Sequence, residues 1–356
     1  MNKLISLTEI KEYLKIEDER MNEYLEKNNV EVYYVDGYEF VLEEYGIAIH
    51  SFFQSVNDLI TNSENTGIQK GTYNEKNKLN NLSGSEWLPE TKSFWYQKGL
   101  GKNHPHAQIE KQHPAPFSYQ DISRLISFFT KKDEIVLDPF LGVGSTIKAA
   151  ELLDRKGIGI ELSEKWIDLA KQRLDTEVCE DASQKHVFIH GDSRQVLKSM
   201  KSQSVDFIVT SPPYWSILNK KADHKTRSRV ENNLSTNYSD SDNDLGNIES
   251  YDEFLSILSH DIFQEAGRIL KVGKYMAIVL SDFRDKSKFV SFHSDIIQKL
   301  DKLDLEKGYR FSLQGVKALL QNHKSLLPYG YPYAYVENIH HQYILIFRKD
   351  KLKKNV

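Results

Sequence analysis

The stretch from Ile135 to Glu161 constrains this chain more than any other. Ile135, Val136 and Leu137 form a short apolar run that Asp138-Pro139 stops, and Gly142 and Gly144 bracket Val143 where the chain must turn sharply. Glycine reaches backbone dihedrals that other residues resist. Ser145 or Thr146 is placed to cap a following helix, whose apolar face runs from Lys148 to Leu153. Gly157 punctuates, and Ile158-Gly159-Ile160-Glu161 reads as a second strand ending on a carboxylate. A strand, a glycine turn, a helix and a strand ending on an acid about twenty residues beyond the turn form the βαβ unit that holds a nucleoside. A ribose offers two hydroxyl donors, and one carboxylate can accept both.

The alternation continues on both sides. Ile122, Leu125, Ile126 and Phe129 recur at helical spacing between Phe117 and Phe129. A helix is expected from Glu161 through Leu174, and Val187 to His190 reads as a third strand ending at Gly191-Asp192-Ser193. After a helix at Val196 to Met200, Val205 to Val209 reads as a fourth strand, running into Thr210-Ser211-Pro212-Pro213-Tyr214-Trp215. Helices over 254–270 and 289–300, with strands over 275–280 and 343–347, complete the pattern. This predicts an α/β fold: a mostly parallel, Rossmann-like sheet whose ligands lie at the carboxyl ends of its strands. Asp138, Glu161, Asp192 and Ser211 all fall at such ends.

The flanks differ in character, and they divide the 356 residues into a module at 1–58, a polar linker at 59–84 and a large domain at 85–350. In the module, two short helices precede β-rich runs at Val30 to Tyr34 and Tyr38 to Leu42, joined by Asp36-Gly37, a hairpin signal. Thr8 stands where it could cap the first helix. The order resembles the excisionase-type winged helix, which reads DNA with its second helix. Here that helix sets Glu19, Glu23 and Glu26 against Arg20 and Lys27, an acidic surface for phosphate, so a structural or protein-contacting cap is the alternative. A loop at 216–250 gathers Lys220, Lys221, Lys225, Arg227 and Arg229 before an acidic stretch; it is either solvated or a clamp on phosphates. The segment 310–340 holds Tyr329, Tyr331, Tyr333 and Tyr335, which either stack on unpaired bases or pack within a Pro-rich turn.

Several classes are excluded by composition. No run approaches eighteen apolar residues, so no membrane-spanning helix is expected, and the charged N-terminus predicts a cytoplasmic protein. Cys179 is the only cysteine, which rules out an intramolecular disulfide and a cysteine-rich zinc site. His104-Pro105-His106 has no carboxylate or cysteine at ligand spacing, so no metal is expected. The net charge of −4 alone argues weakly against nucleic acid, but the charge is unevenly spread.

Ser211-Pro212-Pro213-Tyr214 carries the most chemistry. Two prolines remove two N–H donors, so the groups exposed there are acceptors. The Ser211 hydroxyl and the Pro212 carbonyl can accept both hydrogens of an –NH2, drawing its nitrogen lone pair out of conjugation. Tyr214 offers a ring face for stacking. A base in a duplex could reach such a site only by being turned out of the stack.

DPFLGVGST, GIGIEL and TSPPYW together resemble the DNA amino-methyltransferases, which methylate N4 of cytosine or N6 of adenine using S-adenosylmethionine; the likeness covers roughly residues 80–349. The resemblance implies that Asp138, Pro139, Phe140, Gly142, Gly144, Ser145 and Thr146 surround the methionine part of the cofactor. It implies that Glu161 holds the ribose and that Asp192 and Ser193 face the adenine. His113-Pro114, from the segment HPAP, would lie against the methionine end. Ser211, Pro212, Pro213 and Tyr214 would be catalytic, with Trp215 a pocket wall and Lys220, Lys221, Lys225, Arg227, Arg229, Tyr331 and Tyr333 touching substrate. DNA is the implied partner, a cognate restriction endonuclease a further one, and no metal is called for. The cofactor loop precedes Ser-Pro-Pro-Tyr, the reverse of many relatives, which leaves the 216–250 loop, the 310–340 segment and the N-terminal module as candidates for target recognition. Serine in the first position favours cytosine over adenine. The readings from other classes are adenine N6 methylation and a non-catalytic DNA-binding regulator that senses the cofactor.

Overall fold

The computed structural model describes residues 4–14, 16, 18–28, 30–35, 38–42, 49, 73–97, 104, 106–114, 117–215, 243–286, 288–306, 308–321 and 324–352. They fall into two compact units, Met1–Gly71 with Lys102–Pro105, and Thr72–Gly101 with His106–Val356.

The first unit has strand β1 (Leu4–Ser6), helices Leu7–Leu14 and Asp18–Lys27, and strands β2 (Tyr33–Val35) and β3 (Tyr38–Leu42). The strands form an antiparallel sheet in the order β1-β3-β2, and Val35 pairs with Tyr38, so two residues connect them. Leu7, Ile10, Met21, Leu25, Val41 and Ile49 make its core. Strand β1 has no counterpart in the sequence reading, because three residues are too few to show a period of two. Thr8 lies inside the first helix and does not cap it.

The second unit is built on a sheet of nine strands: β4 (Phe94–Tyr96), β5 (Ile135–Asp138), β6 (Lys156–Glu161), β7 (Val187–His190), β8 (Val205–Thr210), β9 (Leu270–Leu280), β12 (Asp304–Leu305), β13 (Tyr309–Leu320) and β14 (His341–Lys351). Strands β10 (Phe283–Asp285) and β11 (Lys288–Val290) form a separate hairpin. The order is β12-β13-β14-β9-β8-β5-β6-β7, with β4 on β13. Neighbours from β7 through β9 are parallel, and β14 runs antiparallel between β9 and β13. Every residue of β8 is buried, as a central strand covered on both faces requires. Side chains alternate between faces. Ile208, Met276, Ile278 and Leu280 meet Phe254, Leu258, Phe263 and Phe292 on one side. Phe207, Val209, Ala277 and Val279 meet Ile122, Leu125, Ile126 and Phe129 on the other.

Several boundaries differ from expectation, among them β9, which starts at Leu270 and not at 275, and β14, which runs His341–Lys351 and not 343–347. Residues 73–83, grouped by their polarity with the linker, are folded into this unit: Asn80 is fully buried, its Nδ2 donates to the Phe128 carbonyl at 2.6 Å, and its Oδ1 accepts from Asn77 Nδ2 at 2.7 Å and Leu82 N at 3.0 Å. A side-chain amide that replaces the missing secondary structure leaves no apolar period to read. Residues 310–320, assigned to a recognition segment, belong to β13. The helix expected over 289–300 runs Phe292–Asp301, after β11. Asn80→Ala should destabilise the protein by about 1–3 kcal/mol, because it strands buried donors and acceptors. Urea unfolding checks this, with an unchanged midpoint counting against the Asn80 anchor.

Candidate active site

The end of β6 and the residues just beyond β5, β7 and β8 border one cavity of about 870 Å3, open mouth included. Its lining includes His113, Pro139, Phe140, Gly142, Ser145, Glu161, Asp192, Ser193 and Ser211 to Tyr214. Twelve positions picked from sequence thus converge from segments a hundred residues apart. Pro114, Asp138, Gly144, Thr146 and Trp215 are not in the lining. Lys220, Lys221, Lys225, Arg227 and Arg229 lie outside the described residues. Tyr331 and Tyr333 border a separate concavity.

Asp138 ends β5 fully buried. Its carboxylate accepts from Thr146 Oγ1 at 2.6 Å, Thr210 Oγ1 at 2.7 Å and Phe140 N at 3.0 Å. Burial pushes its pKa up to about 6, against the opposing effect of those three bonds. The acid therefore holds the turn together from behind and does not face the cavity. For the same reason neither Ser145 nor Thr146 caps the helix Ser145–Leu152: the cap position is Gly144, and the Thr146 hydroxyl is spent on Asp138. Gly144 has φ +79°, and a Cβ there would stand 2.8 Å from the Ala170 Cβ, so this glycine serves a left-handed turn and close helix packing.

Gly142 (φ +53°) points its N–H at Glu161 Oε2, 2.8 Å away, and the other oxygen accepts from Ser163 N at 3.0 Å. Glu161 sits deep in the cavity wall, and desolvation raises its pKa to about 7 despite these backbone bonds. His113 is buried edge-on against Trp166, with ring centres 5.0 Å apart, and covers Gly142. Asp192 caps the helix Ser193–Ser199 through Arg194 N at 2.9 Å, and Arg194 Nη2 donates back to it at 2.6 Å. The Ser193 hydroxyl donates to the Pro139 carbonyl, which ties the β7 end to the β5 end.

At the other end of the cavity, the Tyr214 hydroxyl accepts from Gln342 Nε2 at 3.3 Å and also bonds to the Ser281 backbone and the Ser211 side chain. Burial raises its pKa, so it stays a neutral phenol. Trp215 turns away: its Nε1 donates to the Ile248 carbonyl at 2.8 Å, and its ring packs on Tyr251 and Phe283. An indole N–H needs a partner when buried, and this one finds a carbonyl that does not line the cavity. Trp166, Phe117, Leu245, Ile262 and Asp244 also border the cavity. Trp166 follows Glu161 closely enough to have been suspected; the others arrive from distant segments and give no local signal.

A family model described as DNA methylase matches residues 8–172, which takes in the glycine turn and Glu161 and stops short of Ser211. The Type II methyltransferase M.BglII of Bacillus subtilis is 32% identical over 100 residues, 28% of this chain and 27% of that protein. The Type II methyltransferase M.ScaI of Streptomyces caespitosus is 42% identical over 65 residues, 18% of this chain and 21% of that protein. The matches thus span about a quarter of those relatives' length. Among solved structures, TTHA0409 of Thermus thermophilus complexed with S-adenosyl-L-methionine aligns at 28% identity and TM-score 0.31, over 47% of this chain and 56% of that one. No helix among the described residues is long and apolar enough to cross a membrane, and no group of three or more potential metal ligands occurs among them.

The two raised carboxylates fix a pH dependence. Folded Asp138 and Glu161 bind protons more tightly than their unfolded counterparts, so stability rises on acidification and is lost as pH rises through about 6 and about 7. The ligand-free protein should therefore gain roughly 1–3 kcal/mol from these groups between about pH 8 and pH 5, and Glu161→Gln should flatten the upper half of that window. Urea midpoints across the range provide the check; a wild-type curve that falls on acidification there would contradict it.

Proposed function

From its membership of the DNA amino-methyltransferase family, we propose that this chain transfers a methyl group from S-adenosyl-L-methionine to the exocyclic amine of a DNA base turned out of its duplex. The observation that carries this reading is that one cavity holds both Glu161 with Asp192 and the run Ser211-Pro212-Pro213-Tyr214. A nucleoside seat and an amine-accepting edge open into the same space.

The lining also discriminates between nucleoside cofactors. Glu161, Asp192 and Asp244 border the cavity, and among the described residues no lysine or arginine does. Among the described residues a pyrophosphate would find no lysine or arginine on this wall, whereas a sulfonium cation would find carboxylates. Bound in this seat, S-adenosyl-L-methionine would supply an electrophilic methyl group on a positively charged sulfur. The Glu161 carboxylate already holds the backbone N–H groups of Gly142, Ser163 and Leu162, and keeps a lone pair for a ribose hydroxyl. Phe140, Ile160, Leu162 and Trp166 give apolar walls. Asp192, oriented by Arg194, can accept from an adenine amino group.

On the acceptor side, Ser211 Oγ and the Pro212 carbonyl take the two amine hydrogens, and the Tyr214 ring supports the base. Methylated nitrogen carries a positive charge and releases one of those hydrogens to water. Positioning two reactants in line accounts for most of the rate such a site can provide. Ser211 favours N4 of cytosine; N6 of adenine is the alternative, and an intact acceptor edge speaks against a purely regulatory role. A cognate endonuclease, suggested by the Type II relatives, and a winged-helix role for the N-terminal unit belong to the same proposal.

Incubation with labelled S-adenosyl-L-methionine and mixed DNA, followed by nucleoside mass spectrometry, should yield N4-methylcytosine. N6-methyladenine would move the assignment to adenine, and absence of both would sink the reaction. Tyr214→Ala should lower kcat about a hundredfold with cofactor affinity within a few-fold of wild type; full turnover would show the acceptor geometry to be wrong.

A further inference from the structure

We propose that residues 324–340 form the element that grips DNA beside the reacting base, stacking tyrosine rings on bases left without a neighbour when the target is turned out. This rests on the acceptor reading of Ser211 to Tyr214 above.

The first support is position. Thr210 at the end of β8 pairs with Ile278 of β9, and Leu280 at the end of β9 pairs with Tyr343 of β14. Leu320 at the end of β13 pairs with His341 at the start of β14. The segment between β13 and β14 therefore leaves the same sheet edge that carries Ser211. Both of its feet are tied to the acceptor tyrosine. Gln321 Nε2 donates to Gln342 Oε1 at 3.2 Å and to Gln97 Oε1 at 2.8 Å, while Gln342 Nε2 donates to the Tyr214 hydroxyl.

The second support is construction. The Asn338 side chain closes the base of the segment, accepting from Leu327 N at 3.0 Å and donating to Leu327 O at 2.8 Å. His340 bonds to the Lys324 carbonyl at 3.0 Å. Tyr333 N and Ala334 N both donate to Gly330 O at 2.7 Å, and Gly330 (φ +74°) has no room for a Cβ beside the Ala334 carbonyl. The backbone is thus folded on itself, yet Tyr331, Tyr333 and Tyr335 are 82%, 94% and 84% exposed. With Tyr329 they border one shallow concavity. The expected alternative, tyrosines packed into a Pro-rich turn, is not what forms. A contiguous aromatic surface held out in water marks a contact site.

The third support is chemistry. Lys324, His340 and Glu337 are the charged or titratable residues of the segment besides the tyrosines, too few to bind a phosphate backbone. Its rings suit the faces of bases, and a site that extrudes one base unstacks its neighbours.

The test uses the full chain and short fluorescein-labelled random-sequence oligonucleotides, duplex and single-stranded, in an anisotropy titration. Tyr331→Ala with Tyr333→Ala should raise Kd for both probes by about tenfold per ring, with an unchanged melting temperature. Tyr331→Phe with Tyr333→Phe should keep wild-type affinity, since stacking needs the ring and not the hydroxyl. The proposal is overturned if the double alanine variant binds as the wild type does, if the phenylalanine variant loses as much, or if the wild type binds neither probe. It is equally overturned if the alanine variant changes only the oligomeric state in sedimentation. Binding is read without turnover, so a wild type that binds DNA but yields no methylated base refutes the reaction alone.

Discussion

A carboxylate sealed from water at the end of β5 holds the candidate active site together. An ionised group in that position is costly unless its lone pairs are filled, and Asp138 fills them with donors from three places: the helix at Thr146, the end of β8 at Thr210, and the turn itself at Phe140 N. Thr210 directly precedes Ser211. The acid that shapes the glycine turn therefore also sets where the run Ser211 to Tyr214 begins. Loss of one donor would leave the others around an undersatisfied buried charge.

Charge is sorted across the same turn. Behind it, Arg173 is fully buried and donates to Val143 O at 3.3 Å, Ser145 Oγ at 3.0 Å, Glu110 at 2.6 Å and Glu177 at 3.1 Å. Lys148 joins Glu177 at 2.6 Å, and burial lowers its pKa and raises that of Glu110. Breaking one partner of such a cluster costs several kcal/mol, about 3–5 in known cases. These two cations hold the loop from the rear, while Glu161, Asp192 and Asp244 border the cavity in front, where Arg194 pairs with Asp192.

Much of this was legible from residue order. β7 falls where the sequence places it, and β5, β6 and β8 do so to within a residue or two, because short apolar runs punctuated by Gly and Pro have few alternatives. Glu161 and Ser211 to Tyr214 converge as the strand-end rule requires. The roles of Asp138, Gly144, Thr146, Ser193 and Trp215 were not legible. Each has the right residue type for the cavity, yet each is spent on a partner whose proximity only folding creates: Thr210, Ala170, Asp138, Pro139 O and Ile248 O respectively.

The sequence by itself determined the strand–turn–helix alternation, the carboxyl-edge acids and the place of Ser-Pro-Pro-Tyr beyond a strand end, since these follow from local periodicity and from what proline and glycine permit. Tertiary structure decided which polar groups remain available to a ligand. A side chain's hydrogen bonds go to whatever neighbours packing delivers, so Glu161 borders the cavity while Asp138, one strand away, is turned from it onto Thr146, Thr210 and Phe140 N.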